Sequence, residues 1–172
     1  PAGKRVYIAS DKQMSQTAAI YKKITCDKSF SVNGDVSWLL KYNTNTGKAE
    51  KVLDLTGYDL CLASLFYQAT TLVDSSNLEL PATTLVSGCY SRMFYGCSIL
   101  QTAPTLPAET IFDNCYYRLF YNCSSLTTAP ELPATKVDVN CYSGMFYGCS
   151  SLTTAPDLPA TTRADSCYSN MF

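Results

Sequence analysis

A pattern of 26 residues is written three and a half times between Leu80 and Phe172, and it constrains the fold more than anything else in the chain. Leu80-Pro81-Ala82 returns as Leu106-Pro107-Ala108, Leu132-Pro133-Ala134 and Leu158-Pro159-Ala160. The cysteines keep the same beat, one series at Cys89, Cys115, Cys141 and Cys167 and a second at Cys97, Cys123 and Cys149. A fixed period of this size is the mark of a solenoid, because no single coil can bury its apolar face without its neighbours. It fixes architecture better than function, since repeat arrays carry many kinds of binding surface.

Within one repeat, Gly88, Asn114, Asn140 and Ser166 precede the first cysteine, and all are residue types that cap helix N-termini. Gly96, Asn122 and Gly148 stand where a helix would end in a positive φ. The spacing therefore predicts a helix of about two turns between these marks. At ~100° per residue, Cys89, Tyr90, Met93 and Phe94 share one face, while Ser91, Arg92 and Tyr95 point away. The segments Ser98 to Pro104, Ser124 to Pro130 and Ser150 to Pro156 read as short strands. Leu100, Leu126 and Leu152 face inward there, and Pro104, Pro130 and Pro156 close the ladder because they lack an N–H. The expected fold is α/β, a leucine-rich-repeat-like solenoid with one short strand and one short helix per coil.

The coils are expected at 54–79, 80–105, 106–131 and 132–157, with a partial coil at 158–172. The first is degenerate. Cys61 to Ala69 aligns with Cys89 to Cys97, Leu72 aligns with Leu100, and two extra residues before Leu80 are assigned to a loop. Residues 1–53 read as a separate, small N-terminal segment. Strands are expected around Val6, Ile8, Ile20, Ile24 and Phe30. A helix is expected from Asn33-Gly34-Asp35 onward, with Val36, Leu39 and Leu40 on one buried face and Trp38 beside them. Over Val36 to Tyr42 this helix would cap the first coil, and a turn follows at Asn43 to Gly47.

The repeat Cys-Tyr-x-x-Met-Phe-Tyr-Gly-Cys-Ser-x-Leu-Thr-Thr-Ala-Pro-x-Leu-Pro-Ala-Thr resembles the BspA-type leucine-rich repeats of bacterial surface proteins, in a longer-period variant also found in phages. The resemblance covers about residues 54–172. It departs from the commonest form, whose coils are shorter and carry Ala-Phe where Met-Phe or Leu-Phe stands here. It implies adhesion or other binding outside the cell, at a bacterial or virion surface, and no catalytic residue.

Charge is low in amount and uneven in placement. Residues 1–53 hold nine Lys/Arg and four Asp/Glu, a balance of +5; residues 54–172 hold four and ten, a balance of −6. An acidic array is a poor partner for a phosphate backbone, which argues against nucleic acid. No apolar run is long enough to enter and span a bilayer. No signal peptide is recognisable, but a chain that starts at Pro1 and stops inside a repeat reads as a fragment, so that lack says nothing about the parent.

Nine cysteines raise disulfides and metal. Cys89 and Cys97 would lie at opposite ends of a helix of roughly 10 Å, too far apart for a bridge. Ala69 replaces the second cysteine of the first coil, which a ligand or bridge partner would not tolerate. The expectation is therefore reduced, buried thiols stacked in columns, with bridges among Cys97, Cys123 and Cys149 as the alternative. Zinc is disfavoured by the absence of His and of a close C-x-x-C pair. Without His, Ser and Cys nucleophiles lack their usual base. Asp113, Asp138 and Asp165 sit near the expected helix starts, where they favour the dipole without chemistry. No cofactor is implied.

Tyr67, Tyr95, Tyr121 and Tyr147 follow the core Phe and fall on the outward face. Stacking would align them into a row of rings, rimmed by Arg92 and Arg118. The row either binds a protein or glycan partner or only shields the coils beneath it. A second candidate surface is the segment between Ala82 and Cys89 and its counterparts, where the repeats differ most. The functional expectation is a non-catalytic binding or adhesion module recognising a surface protein or glycan; the alternative is a spacer with no ligand of its own.

Overall fold

The computed structural model describes residues 24–36, 41–43, 48–50, 55–57 and 59–172. The strands expected around Val6, Ile8 and Ile20, and the helical positions Trp38, Leu39 and Leu40, lie outside these residues.

The repeats stack in register, each against its counterpart in the next coil. Four two-residue strands, β5 (Thr84–Leu85), β6 (Thr110–Ile111), β7 (Lys136–Val137) and β8 (Thr162–Arg163), form one parallel sheet in the order β5-β6-β7-β8. Each pairs with a residue 26 positions on, Thr84 with Thr110 and Thr110 with Lys136. Leu85, Ile111 and Val137 point into the core, and Thr84, Thr110 and Lys136 face solvent. Strands therefore form in the variable segment before the first cysteine. The strand expected at Ser98 to Pro104 is reduced to a single bridge between Thr102 and Asp74, although Leu100 and Leu126 are fully buried as anticipated. The prolines explain the shift: a segment ending in Ala-Pro-x-Leu-Pro has too few N–H groups to hold a ladder.

The expected helix is absent. Between Gly88 and Cys97 the N–H groups of Ser91, Met93, Tyr95 and Cys97 each turn back to the carbonyl three residues earlier, all at 3.1 Å. The intervening N–H groups leave the coil. Gly88, Arg92, Phe94 and Gly96 donate to the carbonyls of Asp113, Tyr117, Leu119 and Tyr121 at 2.8, 2.8, 3.0 and 2.7 Å. Residues 114–122 repeat this toward Val139, Ser143, Met145 and Tyr147. Positive φ at Gly88, Tyr90, Arg92 and Gly96 aims alternate peptides out of the coil. The residues read as helix caps are thus places where a left-handed backbone is least costly. A helix would spend its donors internally, whereas this ribbon spends every second one on its neighbour.

Side chains still divide as a helix would divide them. Cys89, Tyr90, Met93, Phe94 and Cys97 are buried, as are Cys115, Tyr116, Leu119, Phe120 and Cys123. A ladder of Phe66, Phe94, Phe120 and Phe146 runs through the core at centroid spacings of 5.5, 5.4 and 5.8 Å, and the exposed Phe172 stacks on its end at 5.8 Å. Tyr90, Tyr116, Tyr142 and Tyr168 form a second ladder.

At the N-terminal end, β1 (Phe30–Asp35) pairs in parallel with β4 (Leu72–Glu79), joining Phe30 to Leu72 and Asp35 to Glu79 with two irregularities between. The residues before Leu80 assigned to a loop are therefore part of a strand. Of the helix expected from Asn33, the first residues, Asn33 to Asp35, belong instead to β1, Val36 enters a 3-10 turn, and positions 37–40 lie outside the described residues. Lys41–Asn43 (β2) pairs antiparallel with Lys48–Glu50 (β3). The Asn-Gly signal therefore lies within a strand, where β4 offers β1 an edge to pair with.

Candidate functional site

The four outward tyrosines come together as the sequence implies. Tyr67, Tyr95, Tyr121 and Tyr147 form an unbroken ladder with centroid spacings of 4.9, 4.8 and 4.8 Å. The planes are nearly parallel, 1° apart for Tyr95 and Tyr121. These spacings match the separation of hydrogen-bonded strands, about 4.7–4.9 Å, so the backbone ladder sets the ring ladder. The face of each inner ring is covered by its neighbours, and what remains toward solvent is ring edge and phenol. Tyr67, Tyr95 and Tyr121 are half-buried, and Tyr147 is exposed.

Arg92 and Arg118 flank this ladder and meet at a residue that sequence reasoning passed over. The Arg92 guanidinium lies 5.3 Å from the centroid of Tyr117, and that of Arg118 lies 5.0 Å from it. Arg118 also reaches Tyr121 at 5.3 Å. Tyr117 occupies the position held by Ser91 and Ser143 in the adjacent coils. That departure from the repeat was the available signal. Among the described residues neither guanidinium is paired with a carboxylate.

The cysteines require a correction. Cys61 and Cys89 form a disulfide across the first two coils, their Cα atoms 4.7 Å apart. Sequence reasoning expected Cys89 to be reduced and placed the possible bridges in the other series. Stacking of the first coil on the second puts Cys61 beside Cys89, with their Cα atoms within disulfide range. Cys97, Cys123 and Cys149 instead donate their thiols to the carbonyls of Phe66, Phe94 and Phe120, each at 3.1 Å. Cys115 and Cys141 do the same to Val86 and Phe112 at 3.0 and 3.2 Å. Burial pushes the Cys115 and Cys141 thiols up to about 12 and Cys149 to about 11. A thiol held in that range is a poor nucleophile at neutral pH.

The inner tyrosines are likewise desolvated, and burial raises Tyr90, Tyr116 and Tyr142 above the usual phenol range. The hydroxyls of Tyr116 and Tyr142 are buried without a hydrogen-bond partner among the described residues. The second candidate surface is the solvent side of β5 to β8, with Phe112 and Val139 exposed beside it. Asp113 is tied there by accepting the Val139 N–H.

Among the described residues no cluster of three or more Cys, Asp or Glu is placed to hold a metal ion. No helix among them is long and apolar enough to cross a membrane. No family model, curated protein or solved structure matches the chain.

Proposed function

We propose that this chain is a non-catalytic binding or adhesion module, built as a repeat solenoid of the kind its sequence resembles and displayed at a bacterial cell surface or on a virion. The carrying observation is the continuous ladder of Tyr67, Tyr95, Tyr121 and Tyr147 with Arg92 and Arg118 alongside. A row of phenols at fixed spacing, held by the backbone beneath, offers a partner a pre-organised surface with little ordering cost. The partner class that fits is a surface protein or glycan contacted through hydroxyls and ring edges.

One observation favours the spacer reading. The ring faces stack on one another, which by itself stabilises the array and leaves few faces for a ligand. Binding to a glycan array and to intact cells, measured for wild type and for Tyr95→Phe combined with Tyr121→Phe, separates the two. The phenylalanine pair keeps the stack and removes two hydroxyls. The binding reading expects unchanged melting with weakened binding; a wild-type protein that binds nothing supports the spacer.

A further inference from the structure

We infer that the ligand contacted beside the tyrosine ladder is an acidic polysaccharide, whose carboxylate or sulfate groups are taken by Arg92 and Arg118. This rests on the binding reading above and names its ligand class. The repeats from residue 54 on carry four basic and ten acidic side chains, yet two of those four bases sit in adjacent coils on one aromatic ring. Tyr117 lies against both guanidiniums, at 5.3 and 5.0 Å, and Tyr121 against the second. Stacking on an aromatic face orients a guanidinium while leaving its in-plane N–H fork unused. A planar fork of that kind matches a carboxylate or sulfate through paired hydrogen bonds.

The next coil makes room for this arrangement. The position of Arg92 and Arg118 is Gly144 in the following coil, where φ is +62°. A Cβ there would stand 3.1 Å from Cγ of Arg118 and 3.5 Å from Cδ2 of Tyr121. Arg118 therefore lies over a notch that any side chain at 144 would crowd. The faces of Tyr95 and Tyr121 beside it are covered by their neighbours, so the face-on stacking that holds neutral sugars is not on offer at these two rings. Charge and hydroxyls remain, which suits a ligand that is both anionic and polyhydroxylated. An acidic peptide offers the charge without the hydroxyls.

The test uses the whole chain, immobilised, with polygalacturonate and a sulfated dextran as acidic probes, unsulfated dextran as the neutral one and polyglutamate as the peptide one. Wild type is expected to hold the acidic sugars, more weakly as salt rises, and to ignore neutral dextran and polyglutamate. Arg92→Gln with Arg118→Gln should weaken acidic-sugar binding about tenfold or more, while Lys28→Gln, an exposed base outside the repeats, changes little. Both variants are checked by melting, and the Arg92→Lys, Arg118→Lys pair serves where the glutamine pair unfolds: it keeps charge and loses the fork, so it should bind weakly. Equal binding of neutral dextran, tighter binding of polyglutamate, or full binding by the double glutamine variant overturns the inference but leaves a binding module standing. No binding to any probe, glycan array or cell overturns the underlying reading as well.

Discussion

Cys123 and Phe94 are joined across one coil boundary: the Cys123 thiol donates to the Phe94 carbonyl at 3.1 Å. That same oxygen already accepts the N–H of Cys97 at 3.1 Å. Phe120 repeats the arrangement with Cys149 and Cys123, and Phe66 with Cys97 and Ala69. The second lone pair of a buried carbonyl is thus satisfied by the following coil, and a residue that is small, apolar and a weak donor is what the place requires. Ala69 fits this rule, because no earlier copy of the repeat precedes it with a carbonyl to satisfy. Cys123→Ala should cost about 1–2 kcal/mol in chemical denaturation. A loss below about 0.3 kcal/mol would mean that the sulfur only fills space.

The disulfide between Cys61 and Cys89 ties the irregular first coil to the regular array over a separation of 28 residues. A loop of that length stabilises by about 3–4 kcal/mol in the chain-entropy account. Denatured, unreduced protein should leave Cys61 and Cys89 unlabelled by an alkylating reagent and expose the others. Reduction should lower the melting temperature. Labelling at every cysteine would restore the all-thiol reading of the sequence.

Phe120 has a stacked ring on each side, Phe94 at 5.4 Å and Phe146 at 5.8 Å, and is fully buried. Phe120→Ala should cost about 3–5 kcal/mol. The loss should also broaden the unfolding transition, because coils on either side are coupled through that contact. A melt that shifts by less than about two degrees would contradict the stack.

Stability should fall at alkaline pH. Burial raises Cys115, Cys141 and Cys149, and pushes Cys123 the same way. In the unfolded chain a thiol releases its proton near about 8.5. Between that pH and the raised folded values the unfolded state binds fewer protons, so the unfolding free energy declines as pH rises. It is constant below the window. Urea midpoints measured from pH 6 to 10 should be flat and then drop above about 8.5; a drop on the acid side instead would assign pH sensitivity to carboxylates.

The buried set and the tyrosine row were legible in the sequence; the backbone was not. In the ribbon, Cys89 and Tyr90 point in, Ser91 and Arg92 point out, and Met93 and Phe94 point in again. That is a period of four, and over eight residues it cannot be told from 3.6. What distinguishes the two is where the donors go, which side-chain pattern does not record. Glycine and asparagine at 88, 96, 114 and 122 serve a helix cap and a left-handed turn equally well. The disulfide was obscured by Ala69, whose replacement of a cysteine bears on the second series only, whereas Cys61 and Cys89 both stand in the first. The pairing of Arg92 and Arg118 on Tyr117 was hidden differently: it lies in one coil's departure from the pattern, and attention to the repeat passes over it.

The backbone itself can be tested at Arg92, which is exposed with φ at +54°. In a helix interior, glycine is less stable than alanine by roughly 1 kcal/mol, because it has more freedom to lose. At a left-handed position the order reverses, since the alanine Cβ meets the neighbouring carbonyl and glycine has none. The repeat performs half of this experiment, placing Gly144 at the equivalent position two coils on, with φ at +62°. Both substitutions remove the same guanidinium and its contact with Tyr117, so that loss cancels in the comparison. Arg92→Gly should therefore be more stable than Arg92→Ala by about 1 kcal/mol in urea unfolding. If alanine proves the more stable of the two, residues 88–97 are helical after all and the cross-coil ladder is wrong.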